Sequence, residues 1–249
     1  MTDPLPAPRK PLRIAVIGET AILPDGALAR SGALAIALRR HPGVAVTLRA
    51  IAATDADRAG IESVLTDAGV TSQVTARADG DPLPIRLGDP LDIWGLFAHD
   101  LVILDADDAP LRAFLTDLPA HTAPGVRILG TLDAATDGLA AHERDITLRF
   151  DAIAGTVAQA GSRFALPEAA DATAAARAIG AMMRGTNLRA AAIHDDGTLA
   201  IAALDERLVA IALPDGATRE GIVAAVAVTM ARRDGWIEAA TLLPAAMPR

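Results

Sequence analysis

A short turn between an apolar strand and a small-residue helix is the segment of this sequence best suited to binding an anion. Residues 213–230 read Leu-Pro-Asp-Gly-Ala-Thr-Arg-Glu-Gly-Ile-Val-Ala-Ala-Val-Ala-Val-Thr-Met. Backbone N–H groups at the start of a helix, together with the helix dipole, attract phosphate and carboxylate groups. The candidate anion-binding residues are therefore Gly216, Ala217, Thr218 and Arg219. The alternative is that Gly216 only makes the turn and that Arg219 is a solvated residue of the first helical turn.

Two sets of acidic residues offer further chemistry. Glu220 follows the turn, and an acid in a first helical turn stabilises the helix through its dipole. Asp105, Asp107 and Asp108 follow an apolar strand, at the end where ligands bind in α/β proteins. They can hold Mg²⁺ through water. The interpretation we favour is a loop and a helix cap, and we predict no metal ligand.

Composition excludes several classes of protein. The 249 residues contain no cysteine, and the five histidines are scattered without metal-ligand spacing. No serine lies in a Gly-x-Ser-x-Gly elbow, and the sole lysine, Lys10, excludes a phosphate-binding Gly-x-x-x-x-Gly-Lys loop. A net charge of −8 argues against nucleic acid as a partner. No apolar stretch predicts a membrane span, and the Pro-rich start is not a signal peptide, so we expect a cytoplasmic protein.

The elements that must position these residues alternate between strands and helices. This order predicts an α/β fold, a three-layer sandwich with a mainly parallel central sheet. We expect one domain over 12–249, preceded by a flexible segment over 1–11. The predicted strands cover 12–18, 44–52, 70–76, 83–87, 101–104, 126–132, 147–153, 189–194, 199–203 and 208–213. The predicted helices cover 27–40, 55–68, 109–118, 156–162, 171–184, 217–233 and 236–243. Five residues are predicted to be buried in strands: Val16, Val46, Val102, Ile128 and Ile193.

Local motifs along most of the chain resemble the ribokinase-like (phosphofructokinase-B type) carbohydrate kinases. They are Ile17-Gly18-Glu19, residues 35–40, residues 50–60, residues 65–71, residues 130–133 and the segment at 213–230. The resemblance implies the ribokinase-like fold, a sugar or nucleoside substrate, and ATP and Mg²⁺ as cofactors. In that family the last turn reads Gly-Ala-Gly-Asp, and the Asp takes the proton from the sugar hydroxyl. Here the matching residues are Gly216 to Arg219, so an arginine stands at the position of the base. A one-residue shift of the loop puts Glu220 at that position, and the resemblance therefore makes Glu220 a candidate catalytic base.

Three other departures accompany the lost base. The connection after the first strand is about a dozen residues, so most of the family's lid is missing and a lid-mediated dimer is not expected. The family's sugar-binding Gly-Gly pair falls near Arg30-Ser31-Gly32, which makes Ser31 and Gly32 candidate substrate-binding residues. The Asn-x-x-Glu motif that organises Mg²⁺ falls near residues 154–159, where there is no acid. The resemblance thus implies a divergent carbohydrate or nucleoside kinase with weak or no catalysis. The alternative is a non-catalytic protein that binds a small molecule or an anion on the same scaffold.

Overall fold

A nine-stranded sheet runs through the described part of the chain. The computed structural model describes residues 10–77, 98–106, 125–132, 148, 150–166, 171–205, 207–233, 236 and 239–246. The strands are β1 (Leu12–Glu19), β2 (Val44–Ala52), β3 (Thr71–Ala76), β4 (Leu101–Asp105), β5 (Arg127–Thr131), β6 (Ala152–Thr156), β7 (Ala190–His194), β8 (Thr198–Ala203) and β9 (Leu208–Ala212). Their order across the sheet is β3-β2-β1-β4-β5-β6-β7-β8-β9. The strand predicted over 83–87 and the helix over 109–118 lie outside the described residues.

Helices cover both faces of the sheet. They are α1 (Arg30–Arg39), α2 (Asp55–Asp67), α3 (Val157–Phe164), α4 (Ala172–Met182), α5 (Arg219–Arg232) and α6 (Ala239–Ala246). One core cluster joins residues of α1, α2, α5 and α6 to one face, and a second joins α3 and α4 to the other face of β6–β8. The predicted three-layer α/β architecture is confirmed. None of the described helices combines the length and the apolar character that crossing a membrane requires.

Strand direction separates the sheet into two parts. The pairs from β3 to β7 are parallel, whereas β8 pairs antiparallel with both β7 and β9. The sheet is therefore mainly parallel, as predicted, with β8 and β9 as an antiparallel margin. Because β1 and β4 to β7 are parallel, their carboxyl ends meet at one edge of the sheet, where Gly18 lies beside Asp105 and Thr156 beside His194. This edge is where ligands bind in open α/β sheets.

The prediction of the core was correct, and one strand was misplaced. Val16, Val46, Val102, Ile128 and Ile193 are all buried, as predicted. The strand predicted over 147–153 is wrong in position, because β6 begins only at Ala152. Leu148 and Phe150, within the predicted range, pack against the second core cluster from outside the strand.

The connection from β1 to α1 is short, as expected for a chain without most of the family's lid. Residues 20–29 reverse direction around a single antiparallel bridge between Ile22 and Leu28. Thr20 fixes the reversal, because its hydroxyl donates to the carbonyl oxygen of Ala29 at 3.1 Å. The side of the sheet edge above β1 thus carries a tight turn instead of added strands.

Candidate functional site at the carboxyl edge of the sheet

Four adjacent strands end in a polar residue on the same face. We call Asp105, Thr131, Thr156 and His194 the strand-end row; they close β4, β5, β6 and β7. Residues two positions earlier, such as Ile103 and Ala192, belong to the core cluster shared with α1 and α5. Side chains alternate along a strand, so the row faces these two helices.

Asp105 is the centre of the polar contacts at this edge. Its carboxylate is almost fully buried, and Oδ1 accepts hydrogen bonds from Oγ1 of Thr131 at 2.7 Å and from Nη2 of Arg219 at 2.5 Å. Its Oδ2 accepts from Oγ of Ser31 at 3.1 Å, and Ser31 also lies 2.9 Å from the Asp105 carbonyl oxygen. A buried carboxylate needs such partners, because an unpaired charge in the interior is costly. The carboxylate is therefore neutralised by Arg219 from within the protein.

This pairing decides between the two interpretations of Arg219. The residue is not a solvated first-turn side chain, because its guanidinium is bound to Asp105 and its side chain is only 24% exposed. Of the three acidic residues after β4, Asp107 and Asp108 lie outside the described residues. Gly18 makes the arrangement possible, since a Cβ there would collide with the carbonyl oxygen of Asp105 and with Oγ of Ser31.

The predicted anion-binding turn precedes α5, and most of its groups already have a structural role. Gly216 is exposed and has a φ of +76°, a conformation that favours glycine. The N–H of Ala217 donates to the carbonyl oxygen of Pro214 at 3.1 Å. Thr218 is the N-cap of α5, and its hydroxyl accepts from the N–H of Gly221 at 3.1 Å. What this turn presents to a ligand is the positive end of the helix and the part of Arg219 that reaches solvent.

The candidate base Glu220 lies next to the guanidinium of Arg219. Its Oε1 is 3.5 Å from Nη1 of Arg219, and its side chain is 25% exposed. The arginine thus has carboxylates on two sides, one buried in Asp105 and one partly exposed in Glu220.

The candidate substrate-binding residues lie under the β1–α1 turn. Ser31 is buried and directs its hydroxyl to Asp105. Gly32 is also buried, and a Cβ there would collide with Oγ1 of Thr20. Arg30 precedes them with a φ of +52°, and its Nη1 lies 3.7 Å from Oε2 of Glu19. The resemblance places the family's Gly-Gly pair near these residues, and the backbone of Arg30 is left-handed although its side chain is an arginine.

The segment matched to the Asn-x-x-Glu motif begins α3 with a capping box. Oγ1 of Thr156 accepts from the N–H of Gln159 at 3.2 Å, and Oε1 of Gln159 accepts from the N–H of Thr156 at 2.9 Å. Each side chain satisfies a backbone group that a helix start leaves without a helical partner. Thr156 and Gln159 have the spacing of the motif, but they supply a hydroxyl and an amide where the family has an amide and a carboxylate.

His194 is a residue at this edge that the sequence did not single out. It is 8% exposed, and among the described residues nothing forms a hydrogen bond with its Nε2. Burial lowers the pKa of the imidazole, and the nearby charge of Arg219 lowers it further. The imidazole ring is therefore neutral at pH 7.

The described residues contain no cluster of three His, Asp or Glu side chains that suits a metal ion. The prediction of no metal ligand concerns the whole chain, and it stays a prediction. Within the described ranges, the one buried carboxylate of the strand-end row already has a guanidinium and two hydroxyl groups as partners.

Solved structures with a similar architecture include a PfkB protein, a fructokinase and an adenosine kinase. A PfkB protein from Polaromonas sp. JS666 has a TM-score of 0.68 with 14% identity, and the match covers 93% of each chain. The fructokinase of Halothermothrix orenii has a TM-score of 0.69 with 12% identity, over 96% of this chain and 99% of that one. The chain has the ribokinase-like fold. Adenosine kinase from Sinorhizobium meliloti shares this fold, with a TM-score of 0.69, 12% identity and coverage of 94% and 92%.

The likeness is one of structure. No protein-family model matches the sequence, and none of the curated proteins does. The fold brings only some of the predicted site residues into contact. Ser31 and Arg219 both bind Asp105, whereas Gly216 is exposed at the turn before α5. A simple signal was available for the strand-end row, since each of its members is the polar residue that ends an apolar strand.

Proposed function

We propose that this protein is a divergent carbohydrate or nucleoside kinase-family protein that binds a small phosphate- or hydroxyl-bearing ligand with weak or no phosphoryl transfer. The ligand would lie at the carboxyl edge of the sheet, above the start of α5. Sugars, nucleosides and their phosphates are the ligand classes that the resemblance implies.

The observation that carries the proposal is the ion pair between Arg219 and Asp105. A kinase of this kind needs a group that accepts the proton of the acceptor hydroxyl. The guanidinium that replaces it cannot accept a proton, because it stays charged at any physiological pH. The ion pair with Asp105 also fixes the position of Arg219, so a positive charge is held at the start of α5. A fixed cation at a helix start suits a phosphate or carboxylate of a ligand.

Among the described residues, the donor groups of this edge do not fit Mg²⁺. The metal prefers oxygen ligands, chiefly carboxylates and water. The carboxylate oxygens of Asp105 accept hydrogen bonds from Arg219, Ser31 and Thr131. The amide oxygen of Gln159 accepts from the backbone N–H of Thr156 at the start of α3. No step of the proposed function therefore uses a metal. ATP fits in one respect only, since the start of α5 and Arg219 can receive a phosphate group.

Thermal-shift screening with ATP, ADP, sugars, nucleosides and inorganic pyrophosphate, each with and without Mg²⁺, tests the binding. We expect stabilisation by a phosphate-bearing ligand that does not depend on Mg²⁺. Arg219→Lys keeps a cation beside Asp105 but loses the fork of donors, so it should weaken the binding of that ligand. Arg58→Gln removes an exposed arginine of α2 and is the matched control, expected to bind like the wild type.

Phosphoryl transfer is tested separately with ATP and Mg²⁺ on the same sugars and nucleosides. Losing a general base costs about 10²–10⁴-fold in rate, so we expect turnover at or below detection. The contrary result is robust turnover that Glu220→Gln abolishes and Glu62→Gln does not. It would identify Glu220 as a displaced base and the protein as an active kinase.

A further inference from the structure

A groove of about 340 Å³ lies between the end of α4 and the β8–β9 hairpin. We call it the arginine groove. Six of the residues that line it carry the argument: Arg177, Gly180, Arg184, Ala202, Arg207 and Leu208. Ala203 of β8 pairs with Ala190 at the start of β7, so the groove lies at the edge opposite the strand-end row. It is a separate place from the site proposed above.

Small residues create the hollow. Gly180 lies so close to β8 that a Cβ on it would be 3.2 Å from the Cβ of Ala202, which brings the helix down onto the sheet. Ala181, Ala202 and Ala203 line the groove beside it with only methyl groups. Leu204 and Leu208 add apolar surface. The floor is therefore apolar and suits a hydrocarbon part of a ligand.

The rim is positively charged in a protein whose net charge is −8. Arg177, Arg184 and Arg207 line the groove, and none of its described lining residues is acidic. Arg207 also has a carboxylate partner, since its Nε lies 3.1 Å from Oδ2 of the exposed Asp205, and Arg184 interacts within the protein too. One partner does not exhaust a guanidinium, which has five N–H donors. Three such forks around an apolar floor match a compact anion with more than one negative charge.

We propose that the arginine groove is a binding site for a small organic dianion, a phosphate or dicarboxylate that carries an apolar portion. The charged groups bind the arginines, and the apolar portion rests on the alanine and leucine floor. The volume corresponds to the lower end of small-molecule sites, which measure about 300–1,000 Å³. A purely structural explanation covers Arg184 alone, which follows the carboxyl end of α4, where positive charge is favourable. It does not account for Arg177, in the middle of α4, or for Arg207, between β8 and β9.

Isothermal titration calorimetry of the full chain with phenyl phosphate and with phthalate tests the proposal. Both probes join an apolar ring to a dianion, and the tighter of the two identifies phosphate or carboxylate as the preferred group. We expect saturable binding that Arg177→Gln and Ala181→Phe each weaken by about tenfold, the first by removing charge and the second by filling the hollow. Arg58→Gln, on α2, is the charge-matched control and should bind like the wild type.

Three results would overturn the proposal. They are no saturable binding of either probe, binding that Arg177→Gln and Arg58→Gln weaken equally, and binding that Ala181→Phe leaves unchanged. If Ala181→Phe fails to fold, as judged by circular dichroism, Arg177→Gln and its control still decide the question. The test is independent of the proposed function, because Arg219→Lys should not change binding in the arginine groove.

Discussion

Position 219 carries a positive charge where the resemblance places a negative one, and this positive charge has a buried partner, Asp105. The sequence resemblance places a carboxylate there, whereas this chain has a guanidinium bound to Asp105. A cation beside a helix start is unfavourable because the dipole and the cation repel each other, so a nearby carboxylate stabilises it. Asp105, held also by the hydroxyl groups of Ser31 and Thr131, supplies that carboxylate. The arginine thus belongs to a four-residue arrangement that must be tested as a unit.

Removing one member of the pair should destabilise the protein. Arg219→Gln leaves the carboxylate of Asp105 buried without a cation, and breaking a buried ion pair on one side costs about 3–5 kcal/mol. Asp105→Asn should also destabilise, but the double variant should lose less than the sum of the two. Urea unfolding of the four proteins measures this coupling, which we expect to be about 1–3 kcal/mol. Strict additivity would mean that the pair contributes nothing to the folded state.

The backbone at Arg30 gives a second prediction at this scale. Its φ of +52° lies in the left-handed region, which costs an L-residue about 1–2 kcal/mol relative to the right-handed form. Arg30→Gly and Arg30→Ala both remove the contact with Glu19, but only glycine relieves the backbone. We expect the glycine variant to be more stable than the alanine variant by about 1 kcal/mol in thermal unfolding. Equal stability of the two variants would show that position 30 is not strained.

At the scale of elements, the sequence predicted the fold well where local signals were strong. β2 spans the predicted residues Val44–Ala52, and α2 begins at Asp55 as predicted, with the hydroxyl of Thr54 as its N-cap. β6 was misplaced because Ala152–Thr156 is rich in small residues and lacks the alternation typical of a strand. The contact between Arg219 and Asp105 could not be predicted, since 114 residues separate them and only the sheet order brings them together.

Gly161, inside α3, allows the contribution of helix propensity to the stability of the protein to be tested. Nothing lies within 4 Å of a Cβ built on Gly161, and its φ is not in the left-handed region. Alanine is a better helix former than glycine by about 1 kcal/mol, so Gly161→Ala should stabilise the protein by up to that amount. Chemical denaturation measures the gain.

Gly18→Ala is the opposing control for this substitution. The same methyl group at the end of β1 collides with Asp105 and Ser31, so the variant should be strongly destabilised. If both substitutions had the same sign, the close contact at the carboxyl edge would not exist.

On the scale of the whole molecule, the sheet separates two polar regions by the length of its strands. The strand-end row lies at the carboxyl edge with Arg219, and the arginine groove lies at the opposite edge beside the start of β7. The interior between them is packed almost entirely with Ala, Val, Leu and Ile. Titratable groups inside such a core have few polar partners, and His41 is the clearest example among the described residues.

His41 should make the stability of the molecule depend on pH in the acidic range. The side chain is fully buried after α1, and neither ring nitrogen has a hydrogen-bond partner among the described residues. Burial lowers its pKa from 6.5 to about 4, and the charge of Arg232 lowers it as well. The folded state therefore binds fewer protons than the unfolded state between these two values. Stability is complete above pH 6.5 and falls as the pH decreases towards 4.

The contribution of His41 is isolated by comparing the wild type with His41→Leu. The shift of the pKa from 6.5 to about 4 corresponds to a loss of about 3 kcal/mol at the acidic limit. Carboxylates titrate in both proteins, so the difference between their free energies of unfolding reports His41 alone. In urea unfolding from pH 7 to pH 4, the free energy of unfolding of the variant should rise relative to that of the wild type as the pH falls. Arg232→Gln removes the second cause of the low pKa and should reduce the wild-type slope in part. A difference between wild type and His41→Leu that does not change with pH would mean that this histidine is protonated as easily in the folded protein as in the unfolded chain.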